Sequence, residues 1–296
     1  MASKSLEHLQ DILNHFENNL TRTEEWEIGI DEAGRGPVLG PMVYGCCFWP
    51  VKLRKELAKI GFADSKDLKE DERDELFAFV KEINGKYLGF EVKVLDPEYL
   101  SNRMLQKEKC SLNKISHDSA IQLIENTLAK GINVVQCYLD TVGKADAYRE
   151  ILKAHFRINY PSVKFTVAEK AESKYPVVAA ASICAKVTRD AVLKEWKFRE
   201  KLGDGATFDF GSGYPGDEKT VTWLKAHRDP VFGFPDLVRF SWKTCENLMN
   251  EKTFVEYVDQ MELSKQNNGG TLDGFVAREK RGHFLGKVCM TNEFSL

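Results

Sequence analysis

The segment Asp31-Glu32-Ala33-Gly34-Arg35-Gly36-Pro37 sets two adjacent carboxylates at the end of an apolar run, Trp26-Glu27-Ile28-Gly29-Ile30, and follows them with a glycine-rich turn that holds an arginine. A strand sends alternate side chains to opposite faces, so Ile28 and Ile30 point to a core while Asp31 faces the other way. Carboxylates at the mouth of a buried strand are costly unless positive charge meets them, and a divalent cation does this best. The glycines let backbone N–H groups come close to a ligand, and Arg35 between them suits a phosphate or a hydroxyl-bearing molecule. The plainer alternative is an acidic turn that caps the next element.

Two further stretches supply partners. Ile132-Asn133-Val134-Val135-Gln136-Cys137-Tyr138-Leu139-Asp140 is β-branched and aromatic, reads as a buried strand and again ends on a carboxylate, before the turn Thr141-Val142-Gly143. Glu169-Lys170-Ala171-Glu172-Ser173-Lys174-Tyr175 leads into Pro176 and a small-residue run from Val177 to Lys186. Pro176 fits the first turn of a helix, where its missing N–H is not needed. One strand-end aspartate is ordinarily a turn former; several, each at the mouth of its own element, argue for a site.

The elements that must position these groups alternate. Patterning predicts strands near 26–31, 41–49, 86–94, 132–140 and 163–168, and helices near 5–20, 67–82, 97–104, 112–129, 145–155, 176–201, 217–227 and 238–250. Such alternation implies an α/β fold, a mixed sheet covered on both faces. The charge run Glu70-Asp71-Glu72-Arg73-Asp74-Glu75 lies opposite Leu68, Leu76, Phe77 and Val80, so it is a solvated helix face. Composition changes near residue 250, and Gln266-Asn267-Asn268-Gly269-Gly270 reads as a linker. Residues 1–250 are therefore expected to form the catalytic domain with its N-terminal helix, and 251–296 an extension that docks on the domain or binds a partner.

At 296 residues with 43% hydrophobic content the chain can bury a substantial core. No stretch has the apolar length of a membrane span and the N-terminus lacks a secretory pattern, so neither a membrane nor secretion is expected. The 7 cysteines show no zinc spacing and suit reduced, buried thiols. A net charge of −3 excludes a broadly basic nucleic-acid binder. Any such footprint must be local, and Arg35, Lys66, Lys186 and Arg189 gather near the carboxylates.

Blocks in fixed order resemble the type 2 ribonuclease H family. They are residues 31–37, Ala63-Asp64-Ser65-Lys66, Leu112 to Asp118, Asp140-Thr141-Val142-Gly143, Tyr175-Pro176-Val177-Val178 with Ala180 to Asp190, and Gly211-Ser212-Gly213-Tyr214-Pro215. The Asp-Thr-Val-Gly block and the long C-terminal extension resemble its eukaryotic catalytic subunits. The resemblance implies a ribonuclease H-like mixed sheet flanked by helices, with a helical C-terminal extension. It implies an endoribonuclease that hydrolyses the RNA strand of RNA:DNA hybrids and cuts 5′ of single ribonucleotides embedded in duplex DNA. Two divalent ions, Mg2+ or Mn2+, held about 4 Å apart would neutralise the attacking and leaving oxygens. Asp31 and Asp140 are the shared ligands and Glu32 and Glu172 the flanking ones.

Glu172 departs from the family pattern, which more commonly carries aspartate there, and Glu169 is a rival ligand three residues earlier. The backbone of Gly34, Arg35 and Gly36 is expected at the ribose 2′-hydroxyl, which separates RNA from DNA. Tyr214 is expected to stack at the RNA-to-DNA junction, or else to pack beneath its glycine turn. Lys66, Asn113, Lys186 and Arg189 are candidate substrate contacts, and His117 is read as structural. Two accessory subunits in a heterotrimer and a nuclear location, with a cytoplasmic pool as the alternative, are also implied. The competing readings are a different carboxylate- and metal-dependent nuclease, and an inactive scaffold that binds hybrids.

Overall fold

Ile28 and Ile30 turn to one face of the first strand, while Glu27, Gly29 and Asp31 turn to the other. The computed structural model describes residues 23–62, 68–200, 209–229 and 231–250. The expected helix over 5–20, the block at 63–66 with Lys66, and the extension after 250 lie outside the described residues.

The strands are β1 (Glu25–Ala33), β2 (Met42–Pro50), β3 (Gly89–Leu95), β4 (Asn133–Asp140) and β5 (Lys164–Ala168). The helices are α1 (Arg54–Ala58), α2 (Glu70–Ile83), α3 (Pro97–Leu105), α4 (Leu112–Leu128), α5 (Ala145–Phe156), α6 (Pro176–Lys194), α7 (Glu218–Ala226) and α8 (Lys243–Asn250). They build a five-stranded mixed sheet in the order β3-β2-β1-β4-β5. β1, β2 and β3 pair antiparallel, and β4 and β5 join β1 in parallel. Among the described residues no helix is long and apolar enough to cross a membrane.

One face of the sheet carries Ile28, Ile30, Met42, Tyr44, Cys46 and Phe48 against α4 and α5. The other carries Cys47 and Trp49 against α2 and α6. A third cluster packs Val38 and Leu39, from the loop after β1, against Trp223, Leu224, Val238, Cys245 and Leu248. The six described cysteines are buried and free, and burial raises the thiol pKa of Cys46 to about 12.

α6 is apolar all round from Val177 to Ala185, as befits a helix sunk into a core. Its small residues serve a backbone approach. A Cβ added at Gly29 would lie 2.3 Å from the Val177 carbonyl, and one at Gly45 would lie 2.2 Å from the Ala181 oxygen. Gly45 is the partner of Asp31 in the β1–β2 register. The helix therefore lies flat on the sheet beside the carboxylate.

Three departures from the sequence expectation have local causes. The helix expected over 176–201 ends at Lys194, because Trp196 and Phe198 leave it to join the third cluster and the Trp196 indole N–H donates to Asp236 Oδ1 at 3.1 Å. The helix expected from 238 begins only at Lys243. Val238 instead forms a bridge with Leu39, and the Arg239 N–H donates to the Val38 carbonyl at 2.9 Å. At the opposite end of β1, Glu27 is buried, accepts from the Trp49 indole at 2.6 Å and pairs with Arg54 of the short helix α1, which the patterning missed. Removing one member of such a buried pair costs more than the pair contributes.

The close approach of α6 predicts that Gly45→Ala lowers stability by about 1–3 kcal/mol or more, since the new methyl meets backbone that cannot rotate away. Gly216→Ala, where a Cβ has open space, should stay within about 0.5 kcal/mol. Urea midpoints of the two variants check this.

Candidate active site

Ile30 pairs with Leu139 across parallel strands, so Asp31 and Asp140 end neighbouring strands at the same edge of the sheet. Asp31 is 7% exposed; Ser182 of α6 hydrogen-bonds its carboxyl, and the Glu32 N–H donates to Oδ1 at 2.7 Å. Burial, then the neighbouring Glu32 and Asp140 charges, push Asp31 well above the usual carboxylate range. Glu32 keeps some solvent contact. Burial is still the largest influence on it and, with Asp140 and Glu172, raises it to about 7 against the opposing pull of Arg35 and a Tyr44 hydrogen bond.

The fourth carboxylate arrives from a turn. Asp140 Oδ1 accepts from the Ala171 N–H at 2.9 Å, which ties the end of β4 to the short 3-10 turn Ala171–Ser173. Lys170 enters that turn with a left-handed φ of 52°, uncommon for a residue with a side chain. Glu172 is buried there and acts electrostatically on Glu32, whereas Glu169 is exposed. Tyr138 stacks on Tyr175 at 4.2 Å and fixes the chain where the turn meets α6. The glutamate at 172, and not its rival at 169, thus joins Asp31, Glu32 and Asp140.

The loop after β1 lies alongside. Arg35 donates to Ser116 Oγ at 2.6 Å and to Asn113 Oδ1 at 2.5 Å on α4, so Asn113 orients the arginine. Gly34 has a φ of 78°, and a Cβ there would strike the Arg189 side chain at 2.1 Å. Arg189 differs from its expectation as a surface phosphate contact. It is 7% exposed, lies beneath the loop, and donates to the carbonyls of Pro41 at 3.1 Å and Leu39 at 3.3 Å. Lys186 is partly exposed and pairs with Asp190 at 2.7 Å. Tyr214 is 52% exposed and its ring flanks Gly36, where an added Cβ would meet Cε1 at 3.0 Å. The Gly213 carbonyl accepts from the Val38 N–H at 2.8 Å, which binds the Gly-Ser-Gly-Tyr-Pro turn to the loop. His117 stacks on Tyr148 at 4.1 Å and lies 3.4 Å from the Val142 carbonyl, a supporting place for the turn after Asp140.

Sequence reading missed Tyr44, Ser182, Arg239 and Trp242. Tyr44 and Ser182 are hidden in apolar runs, and Arg239 and Trp242 were absorbed into an expected helix; no local pattern marks any of them. As to a metal, among the described residues no three His, Cys, Asp or Glu groups are drawn into ready-made ligand geometry. The fit is one of donor chemistry: four hard oxygen donors at one sheet edge, two of them raised by burial and mutual repulsion, suit a hard divalent cation.

A mixed sheet with carboxylates at adjacent strand ends, backed by a sunken helix, defines the class of ribonuclease H-like nucleases. The Ribonuclease HII family model matches residues 28–245, and the chain belongs to that family. It is 49% identical over 272 residues to the ribonuclease H2 catalytic chain (the A subunit) of Arabidopsis thaliana, covering 90% of this chain and 88% of that protein. It is 48% identical over 248 residues to the Homo sapiens counterpart of the same name, covering 84% and 80%. The ribonuclease H2 crystal structure from Pyrococcus horikoshii OT3 superposes with a TM-score of 0.62 at 30% identity, covering 76% of this chain and 97% of that one. The protein is a ribonuclease H enzyme, a hydrolase and nuclease.

The raised carboxyls make stability pH-dependent in the direction opposite to an ordinary salt-bridged acid. Glu32 goes from an ordinary value of 4.5 to about 7 on folding, so its ionisation opposes folding. The penalty is absent below about pH 4.5, grows as pH rises, and is complete above about pH 7, where it amounts to about 3 kcal/mol. Glu32→Gln in EDTA should therefore raise the melting temperature at pH 8 and leave it nearly unchanged at pH 4.5. Melting curves at both pH values check the sign.

Proposed function

We propose that this enzyme hydrolyses the RNA strand of RNA:DNA hybrids and cuts 5′ of single ribonucleotides embedded in duplex DNA. The observation that carries this reading is the meeting, at one sheet edge, of Asp31, Glu32, Asp140 and Glu172 with the Gly34–Gly36 turn and the exposed ring of Tyr214. A carboxylate cluster beside a glycine turn and an exposed aromatic ring suits phosphodiester chemistry next to a sugar.

Asp31 and Asp140 would hold two divalent ions in common, Mg2+ or Mn2+, with Glu32 and Glu172 flanking. When bound, such ions supply an activated water and neutralise charge at the attacking and leaving oxygens. Ser182 and the Glu32 N–H orient the Asp31 carboxyl, and the Ala171 N–H orients that of Asp140. Outer partners of this kind hold ligands in register. The N–H groups of the Gly34–Gly36 turn meet the ribose 2′-hydroxyl, Arg35 is steadied by α4, and Tyr214 stacks at the junction where RNA gives way to DNA. Lys186 and Lys66 contact phosphates farther along the duplex. Two accessory subunits assemble with the chain, residues 251–296 serve as the docking extension, and the enzyme works in the nucleus in DNA replication and repair. The similarity to the named ribonuclease H2 chains supports the assembly.

The test is cleavage of a DNA duplex containing one ribonucleotide, with Mg2+ and with EDTA, by the chain together with its accessory subunits. Cleavage should require the metal. Asp31→Asn should reduce it by more than the ~10–100-fold that loss of an outer hydrogen-bond partner brings. Glu172→Gln should lower it strongly, while Glu169→Gln should not. Near-normal cleavage by Asp31→Asn would overturn the two-metal assignment.

A further inference from the structure

The loop from Gly34 to Pro41 has nearly all its carbonyls turned inward. Arg239, fully buried, donates to the carbonyls of Gly34 at 2.6 Å, Arg35 at 3.1 Å and Gly40 at 2.7 Å. Its own N–H donates to Val38 at 2.9 Å, and the Trp242 indole N–H donates to Gly36 at 3.1 Å. Arg189 takes Leu39 and Pro41. Trp242 also lies over the Arg239 guanidinium, 4.8 Å from ring centroid to Cζ, which holds the fork in its plane.

Peptide units are rigid, so a carbonyl drawn inward turns the N–H of the same unit outward. Among the described residues no acceptor meets the N–H groups of Gly34, Arg35 and Gly36. The loop thus presents donors, beside the carboxylates, with its acceptors withdrawn.

We propose that Arg239 is a positioning residue for substrate selection: by gathering the carbonyls of Gly34, Arg35 and Gly40, it fixes the outward N–H groups as the donors that read a ribose hydroxyl. This rests on the reading of Gly34–Gly36 as the ribose contact. Arginine suits the task because its planar fork spans three acceptors at once, which a single ammonium does not. Trp242 assists through Gly36.

The experiment compares the affinity of the full chain, in EDTA, for a DNA duplex carrying one ribonucleotide and for the same duplex in all-DNA form. Wild type should prefer the ribonucleotide. Arg239→Lys should cut that preference about 10-fold, the worth of one or two well-placed hydrogen bonds, while affinity for all-DNA stays the same. Trp242→Phe, a milder change that removes only the Gly36 donor, should cut it by about 3-fold with the melting temperature close to wild type. If Arg239→Lys does not fold, Trp242→Phe decides alone. A preference unchanged in the variants would overturn the proposal and leave Arg239 as a fold support. Absence of any preference in the wild type would instead overturn the ribose reading beneath it.

Discussion

The approach of α6 to the backbone of β1 and β2 is the constraint on which the rest of the structure depends. Gly29 and Gly45 have no room for a side chain, so the helix axis sits closer to the sheet than any larger pair would allow. That distance brings Ser182 to Asp31 and sets the turn with Glu172 next to the ends of β1 and β4. The same packing keeps water from the carboxylates, and the loss of hydration raises Asp31 and Glu32. A cluster that opposes folding when ionised is held in place by the apolar burial around it, as expected where function and stability compete.

A second constraint acts from the C-terminal helices. Val38 and Leu39 are buried among Trp223, Leu237 and Val238, and Arg239 and Arg189 engage the loop's carbonyls. Burial, and then the nearby Arg189, lower the Arg239 pKa to about 9, so both guanidiniums remain charged at neutral pH. Two buried cations side by side are costly unless satisfied. Here five loop carbonyls satisfy them, and the loop gains a fixed shape in return.

Much of this was legible in the sequence. Period-2 alternation located all five strands to within a few residues, and Pro176 marked the start of α6 correctly. The carboxylate-ended runs at Asp31 and Asp140 revealed their shared sheet edge because a strand's end is a local feature. What was hidden depends on distant chain segments. Arg239 lies 205 positions from Gly34, and nothing near it in the sequence says that its neighbours give their backbone bonds to another loop instead of a helix. Arg189 reads as a helix-surface cation until the loop that covers it is in view. The choice of Glu172 over Glu169 turned on a left-handed residue, Lys170, whose type gives no hint of that conformation.

The account stands on the carboxylates acting as one metal site, and calorimetric titration of the full chain with Mn2+ at pH 6.5, in two buffers of different ionisation enthalpy, tests this most directly. Two ions per chain should bind with release of protons, because Glu32 is raised to about 7 and Asp31 is raised with it. The proton release should fall in Asp31→Asn, along with the number of ions bound. Binding without proton release, or an unaltered titration of Asp31→Asn, would contradict a shared site at this sheet edge.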